Sequence, residues 1–173
     1  MAVFRDTVIV IKSHEIGETD KIVTLLGKRY GKFSAVAKGV RKLTSRTRGH
    51  LQTYTVCRVS CAEGRNLAIL LEADAECIID PVMLTLEMHE RLGFASKVVD
   101  KIIPSGVCDR TVFDWWVELI QGTVSEEDVI SFVVRLLRSQ GFLDSDQMRA
   151  FTKKLPDRYR KLQLYVEKIL ETI

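Results

Sequence analysis

Residues 17–42 read GETDKIVTLLGKRYGKFSAVAKGVRK, and this stretch decides the fold of the first half of the chain. The β-branched run IVTLL at 22–26 and the run FSAVA at 33–37 are typical of short strands. Glycines at 17, 31 and 39 bound these runs, and glycine is favoured where the chain must turn tightly. The stretch therefore predicts two strands joined by a turn at Tyr30 and Gly31.

Further strand patterns flank this stretch on both sides. VIVI at 8–11 precedes it, and YTVCRVSC at 54–61 and LAILLEA at 67–73 follow it. The last two runs enclose AEGRN, which is typical of a hairpin loop around Gly64. Five strands with short connections before residue 80 predict a small antiparallel barrel or sandwich.

The second half of the sequence has the helical period instead. Asp80 and Pro81 predict a helix start, and a helix from there to Pro104 has one apolar stripe, formed by Leu84, Met88, Leu92, Ala95, Val99 and Ile102. A second helix is predicted from Asp109 to Gly122, with Phe113, Trp116 and Ile120 on its apolar face. The predicted fold class is thus α+β, with a barrel domain at residues 1–80 and an all-helical domain at 81–173.

Three further helices are predicted after Gly122. Ser125 and Asp128 resemble a capping box before the run from Val129 to Leu137, which is apolar on nearly all sides and predicts a central buried helix ended by Gly141. A short helix near 145–154 precedes a last one from Pro156, whose apolar face comprises Tyr159, Leu162, Val166, Ile169 and Ile173.

Composition excludes several classes of protein. The chain has 173 residues, of which 46% are hydrophobic and 28% charged, which is typical of a globular protein. No stretch longer than nine residues lacks a charged side chain, and the first residues do not resemble a secretory signal, so we expect a soluble cytoplasmic protein without a membrane span. The four cysteines include no CxxC pair, which predicts buried free thiols and no zinc site.

Charge is distributed very unevenly along the sequence. Residues 21–62 contain ten basic and no acidic side chains, although the net charge of the whole chain is only +3. A solvated loop chosen for solubility is the simplest explanation of a basic run, but solvated surfaces normally mix both signs of charge. The segment therefore predicts a surface that binds a polyanion.

The basic residues predict a nucleic-acid interface. If Phe33, Ala35 and Ala37 face the core, the period of two places Lys32 and Lys38 together on the outer side. Eight cations are then expected around one end or face of the barrel: Lys28, Arg29, Lys32, Lys38, Arg41, Lys42, Arg46 and Arg48. Tyr30 and Tyr54 lie close by in sequence and are candidate stacking surfaces for bases. A structural role at a strand turn is the alternative for Tyr30.

Motifs of enzymes are absent from the sequence. It contains no GxGxxG, GxxxxGK[ST], HExxH or GxSxG, and the three histidines have no metal-ligand spacing. A nuclease would need a carboxylate cluster for metal ions, and the basic segment contains no carboxylate. We therefore expect no catalytic residue, no metal and no cofactor.

The stretch from Gly17 to Lys42 resembles the N-terminal signature of the RecO family of bacterial recombination mediators. The Gly-Glu-Thr-Asp turn, the Tyr-Gly-Lys turn and the Ala-Lys-Gly-x-Arg ending stand in the family's order, and LQTYTV and LLEAD continue the likeness. The resemblance implies an OB-fold barrel followed by a helical domain. It implies binding of single- and double-stranded DNA, annealing of complementary strands and assistance to RecA loading in DNA repair. The DNA contacts implied by position are Lys32, Lys38, Arg41, Lys42, Arg46 and Arg48.

The resemblance also implies partners. These are RecR and the acidic, phenylalanine-ended tail of single-stranded DNA-binding protein, and the expected location is cytoplasmic and nucleoid-associated. Phe132, Arg135 and Arg138 are candidates for binding the tail, since they combine apolar surface with cations. Alternatively, the two arginines are solvated positions on a buried helix.

The sequence departs from the family in two respects. Family members are commonly longer, and many carry a four-cysteine zinc module that this chain lacks. The chain is therefore either a naturally compact member or a truncated one, and the sequence leaves both open. Two functional alternatives stay open: an RNA- or translation-associated OB-fold protein, because the same barrel and charge pattern serve both nucleic acids, and a protein-interaction scaffold whose basic loop docks an acidic tail.

Overall fold

The computed structural model describes residues 2–42, 45, 49–77, 84–152 and 157–173. Within these ranges, five strands come first and close into a barrel, and five helices follow. The predicted fold class, α+β with an N-terminal barrel and a helical second part, is therefore confirmed. The predicted boundary at residue 80 lies outside the described residues, so the division into domains 1–80 and 81–173 stays a prediction.

The strands are β1 (Val3–Ile16), β2 (Asp20–Gly27), β3 (Gly31–Ala37), β4 (Val56–Ala62) and β5 (Ala68–Cys77). They neighbour one another in the order β1-β2-β3-β5-β4, and β4 pairs with β1 to close the barrel. The neighbours are antiparallel, apart from β3 and β5, which run parallel where Ala35 pairs with Ala68 and Val36 with Ile69. This is the OB fold that the family resemblance implies, and the barrel is one of the two forms that the strand pattern predicts.

The barrel core consists of inward-facing residues from alternate strand positions. Val8 and Val10 of β1, Val23 and Leu25 of β2 and Ala35 of β3 are all fully buried in it. Because side chains of a strand alternate between its two faces, the period of two correctly identified which residues of β3 point inward.

The helices are α1 (Leu86–Ile102), α2 (Arg110–Gln121), α3 (Glu126–Ser139), α4 (Ser145–Thr152) and α5 (Arg158–Thr172). Helix α3 packs against α1, α4 and α5, which explains why the run from Val129 to Leu137 is apolar on nearly all sides. The predicted capping box is confirmed: Ser125 accepts from the backbone N–H of Asp128, and the Asp128 carboxylate accepts from the N–H of Ser125.

Two predicted helix ends differ from the structure. Asp80 and Pro81 lie outside the described residues, and α1 begins at Leu86, where the Thr85 hydroxyl accepts a hydrogen bond from the N–H of Met88 at 3.2 Å. At the end of α5, Ile173 is 68% exposed, so it does not belong to the buried face. Thr85 is therefore the N-cap of α1, since its hydroxyl satisfies a free N–H of the first turn.

The chain divides into two compact units. One comprises Met1–Met83 with Pro104–Asp114, and the other comprises Leu84–Ile103 with Trp115–Ile173. Residues 104–114 therefore pack with the barrel, although their sequence lies within the helical half. Among the residues that the structure describes, none of the helices is both long and apolar enough to cross a lipid bilayer.

Candidate nucleic-acid interface

The two ends of the signature stretch meet in space at one end of the barrel. The Asp20 carboxylate accepts hydrogen bonds from the Thr19 hydroxyl and from the N–H of Gly39, each at 2.8 Å. The hydrogen bond from Gly39 is the main reason why the pKa of Asp20 lies below its ordinary value, and the Thr19 hydroxyl, Lys38 and Lys42 lower it further. The GETD turn thus holds the start of the basic loop.

Arg41 fastens the same loop through both its backbone and its side chain. Its N–H donates to the carbonyl of Thr19 at 2.9 Å, and its guanidinium donates to the carbonyl of Gly17 at 3.2 Å. The guanidinium also pairs with Glu15 at 3.2 Å and is about one-third exposed. The Ala-Lys-Gly-x-Arg ending therefore serves partly to position the loop. Because Arg41 already pairs with Glu15, its charge is less available to a ligand than the sequence suggests.

Lys38 and Lys42 are the most available cations at this end. Both side chains are exposed, and within the described residues neither forms a salt bridge. We call Lys38, Arg41 and Lys42 the loop end. Arg46 and Arg48, which are also predicted to bind, lie outside the described residues.

The opposite end of β3 is organised by a buried carboxylate. Asp6 is only 5% exposed, and its oxygens accept hydrogen bonds from the N–H groups of Arg29 and Tyr30 at 3.0 to 3.1 Å. The N–H of Lys28 donates to the carbonyl of Thr7 at 2.9 Å. We call the turn at Lys28, Arg29 and Tyr30 the turn end.

Two predicted DNA contacts near the turn end are engaged within the protein. Lys28 pairs with Asp114 at 3.3 Å and lies 5.4 Å from the centre of the Phe113 ring. Lys32 is only 8% exposed, because Ser105 bridges to it and its carbonyl accepts from the N–H of Gly106 at 2.7 Å. Lys32 therefore has the predicted outward position in the strand pattern but is covered there, so it is not available beside Lys38.

The eight cations are predicted to lie around one end or face of the barrel, and those that the structure describes do not share one end. Arg29 precedes β3 and Lys38 follows it. A strand of this length spans about 20 Å, because each residue advances about 3.3 Å. The described cations therefore form two groups, one at each end of β3.

The two candidate stacking tyrosines have different environments. Tyr30 is 45% exposed at the turn end, and its ring lies 4.6 Å from that of Phe4 between centroids. Tyr54 is 5% exposed and has a φ of 74°, and its burial raises the pKa of its hydroxyl. Tyr54 is thus a core residue and has no surface on which a base stacks.

A surface groove on the outer side of β1, β4 and β5 escaped prediction. It has a volume of about 420 Å³, and its lining includes Arg5, Arg29 and Arg58 with Glu72 and Asp74. Arg58 pairs with Glu76 at 2.9 Å. The alternation of side chains along β1 and β4 could have placed Arg5 and Arg58 on the outer side. Only the pairing of the strands, however, brings them beside Arg29.

The residues predicted to bind a partner's tail lie in the helical unit. Phe132 is 3% exposed and packs edge-on against Trp116, with centroids 5.4 Å apart, so it belongs to the core. Arg135 pairs with Glu118 at 3.1 Å, and Arg138 donates to the Met148 sulfur at 3.5 Å.

An apolar groove lies beside Arg135. It has a volume of about 270 Å³, and Ile130, Val134, Met148 and Phe151 contribute its apolar lining. Glu127 also lines it and pairs with Arg158. Phe132 does not line this groove, but it lines a smaller pocket of about 70 Å³ together with Arg135.

All four cysteines are free thiols. Cys57 and Cys61 are buried in the barrel core, where burial raises the pKa of each thiol to about 12. The prediction of burial fails for Cys77, which is half-buried, and for Cys108, which is exposed. No group of three or more metal-ligating side chains occurs in the described ranges, and the absence of zinc stays a prediction.

Comparison with known proteins gives one family-model match, which covers the barrel, and matches to whole proteins. Residues 1–77 match the family model described as Recombination protein O N terminal. The chain is 46% identical over 71 residues to DNA repair protein RecO of Nocardioides sp., covering 41% of this chain and 29% of the relative. It is 33% identical over 154 residues to DNA repair protein RecO of Heliobacterium modesticaldum, covering 82% of this chain and 53% of the relative.

A third relative gives a similar result. DNA repair protein RecO of Pelotomaculum thermopropionicum is 33% identical over 116 residues, covering 65% of this chain and 44% of the relative. The chain thus spans about half the length, or less, of these curated relatives.

Proposed function

This chain belongs to the RecO family, and we propose from that membership that it is a non-enzymatic DNA-binding protein of DNA repair and recombination. In this proposal it binds single- and double-stranded DNA, anneals complementary strands and assists RecA loading together with RecR. A nucleoid-associated place in the cytoplasm is part of the same proposal.

The observation that carries the proposal is the construction of the loop end. Lys38 and Lys42 are exposed, and the backbone between them is fastened by Asp20 and Thr19. Fixed cations lose less conformational freedom on binding than cations of a free loop, so more of their attraction for phosphate appears as affinity. Such contacts orient a strand without reading its sequence.

The mechanism is electrostatic and needs no chemical step. Cations that neutralise phosphates release condensed counterions, which drives binding and makes it depend on salt. Two complementary strands repel each other through their phosphates. When both bind one basic surface, this repulsion falls and the bases can pair. The side chains of the loop end therefore supply charge, while base pairing supplies the specificity.

Binding of the tail of single-stranded DNA-binding protein is a second part of the proposal. The apolar groove with Ile130, Val134, Met148 and Phe151 offers space for an aromatic ring, and Arg135 lies beside it for a terminal carboxylate. Glu118 already pairs with Arg135, so a tail would have to compete with this surface ion pair, which contributes little stability.

A nucleic-acid competition experiment tests the main proposal. Labelled unpaired DNA is bound to the chain and competed with duplex DNA and with unpaired RNA of equal length, and annealing of complementary labelled strands is followed by energy transfer. We expect DNA binding that weakens with salt, and faster annealing without cleavage when magnesium is present. Strong preference for RNA, or cleavage of the DNA, would overturn the proposal.

A fluorescent peptide with an acidic, phenylalanine-ended sequence tests the tail site. Arg135→Ala combined with Arg138→Ala should weaken its binding, and Arg149→Ala combined with Arg160→Ala is the control with the same loss of charge. If both double variants bind the peptide like the unaltered chain, the tail does not use Arg135 and Arg138.

A further inference from the structure

The turn end carries an exposed aromatic ring that is held in place. Tyr30 contacts Phe4 at 4.6 Å between ring centroids, and Phe4 packs edge-on against Phe33 at 5.5 Å. Phe33 and Phe4 pack in turn against the barrel core. Nearly half of Tyr30 nevertheless stays exposed, so the ring is supported from one side and accessible from outside.

The backbone beneath this ring is equally well fixed. The buried Asp6 carboxylate accepts from the N–H groups of both Arg29 and Tyr30. On the far side of the turn, Gly31 has a φ of 69°, and a Cβ atom there would lie 2.1 Å from the carbonyl oxygen of Val107. Tyr30 therefore lies on a turn whose conformation is fixed by the hydrogen bonds to Asp6 on one side and by the packing of Gly31 on the other.

Two cations are sequence neighbours of the two rings that pack together. Arg29 precedes Tyr30 and Arg5 follows Phe4, and both arginines are exposed and line the outer groove. In the described part of the chain neither forms a salt bridge, whereas Arg58 of the same groove pairs with Glu76. Asp6, Glu72 and Asp74 also line the groove, but the Asp6 carboxylate is buried and accepts from N–H groups of the turn, so phosphate is favoured beside Arg5 and Arg29.

We infer that the turn end is a binding site for an unpaired nucleotide, which stacks its base on Tyr30 and places its phosphate beside Arg29 and Arg5. This inference rests on the proposed function and adds a site to it. Aromatic platforms with neighbouring cations bind single strands because every base has a π face. The loop end, about 20 Å away along β3, contributes phosphate contacts and accepts paired or unpaired strands alike.

The two ends of β3 would therefore bind nucleic acid in different ways. A base stacked inside a duplex is not free to stack on a side chain, so the turn end selects unpaired nucleotides. A strand that spans both ends is held by charge at one end and by stacking at the other. The acidic residues Glu72 and Asp74 keep a second phosphate backbone away from the groove.

The test compares Tyr30→Leu with Tyr30→Phe. Leucine keeps an apolar side chain against Phe4 but removes the π face, whereas phenylalanine keeps the ring and removes only the hydroxyl. Affinities are measured for an unpaired DNA strand and for a duplex of the same length over a range of salt concentrations. Stacking on one aromatic side chain accounts for about a five- to 150-fold change in affinity.

We expect Tyr30→Leu to weaken binding of the unpaired strand within that range, with the salt dependence unaltered and duplex binding nearly unchanged. Tyr30→Phe should bind like the unaltered chain. An unpaired strand containing 2-aminopurine should lose fluorescence on binding to the unaltered chain and to Tyr30→Phe, and lose less with Tyr30→Leu.

Other outcomes separate this inference from the proposed function. Equal binding of the unpaired strand by Tyr30→Leu and Tyr30→Phe overturns the stacking site while DNA binding by the loop end stands. An equal loss for duplex and unpaired strand also overturns it, since the site would not distinguish them. If the unaltered chain binds no nucleic acid at all, the proposed function fails and the stacking site fails with it.

Discussion

Reversing the two most exposed cations of the loop end gives the sharpest test of electrostatic binding. The variant is Lys38→Glu combined with Lys42→Glu. These residues are preferable to Arg41, because Arg41 also hydrogen-bonds to Gly17 and pairs with Glu15, so its loss would disturb the loop itself. Lys38 and Lys42 are exposed, and among the described residues their side chains form no salt bridge.

The magnitude follows from counterion release. Each phosphate neutralised on a single strand contributes about −0.7 to the slope of log K against log salt concentration, so losing two contacts should flatten the slope by about 1.4. At about 0.1 M salt the same relation gives about a 25-fold loss of affinity. Repulsion from the two introduced carboxylates adds to this loss, so 25-fold is a lower bound.

The assay is fluorescence anisotropy of a labelled unpaired strand at several salt concentrations, with circular dichroism to check that the variant is folded. Lys161→Glu combined with Lys168→Glu is the matched control, because both lysines are exposed on α5 and the net charge falls by the same amount. An equal loss in both variants would attribute binding to total charge. A folded loop-end variant with an unaltered slope would refute the placement of phosphate contacts there.

Three further predictions concern the barrel itself. Gly31→Ala should destabilise the protein more than Gly17→Ala in chemical denaturation, because both glycines have positive φ but only at Gly31 would a Cβ atom meet the backbone, at 2.1 Å. Folding lowers the pKa of Asp20, so the charged carboxylate contributes stability at pH values above its ordinary pKa of 3.8. This contribution is lost as the pH falls through the lowered pKa. The difference in unfolding free energy between the unaltered chain and Asp20→Asn should therefore shrink in acid. A thiol reagent followed by mass spectrometry should modify Cys108 in the native protein well before Cys57, whose pKa of about 12 and burial protect it; early modification of Cys57 would contradict its placement in the core.

The strands were predictable because their signal is local. Alternation along FSAVA placed Ala35 and Ala37 in the core, and the capping box at Ser125 and Asp128 needs only residues of one helix turn. The concentration of basic residues at 21–62 is likewise a property of the sequence alone. These features together determine the fold class and the class of ligand that the barrel is expected to bind.

Which basic and aromatic side chains stay available was decided by tertiary contacts. Lys32 has an outward position in the strand pattern, yet pairing with Ser105 buries it. Tyr30 and Tyr54 were both candidate stacking surfaces, but one stands on a supported turn and the other lies in the core. Period two identifies the side of a strand on which a residue lies, whereas a distant segment determines whether that side is covered. The sequence by itself therefore determined a basic OB-fold barrel, and only the tertiary structure divided its cations between a loop end and a turn end, because the length of β3 separates them.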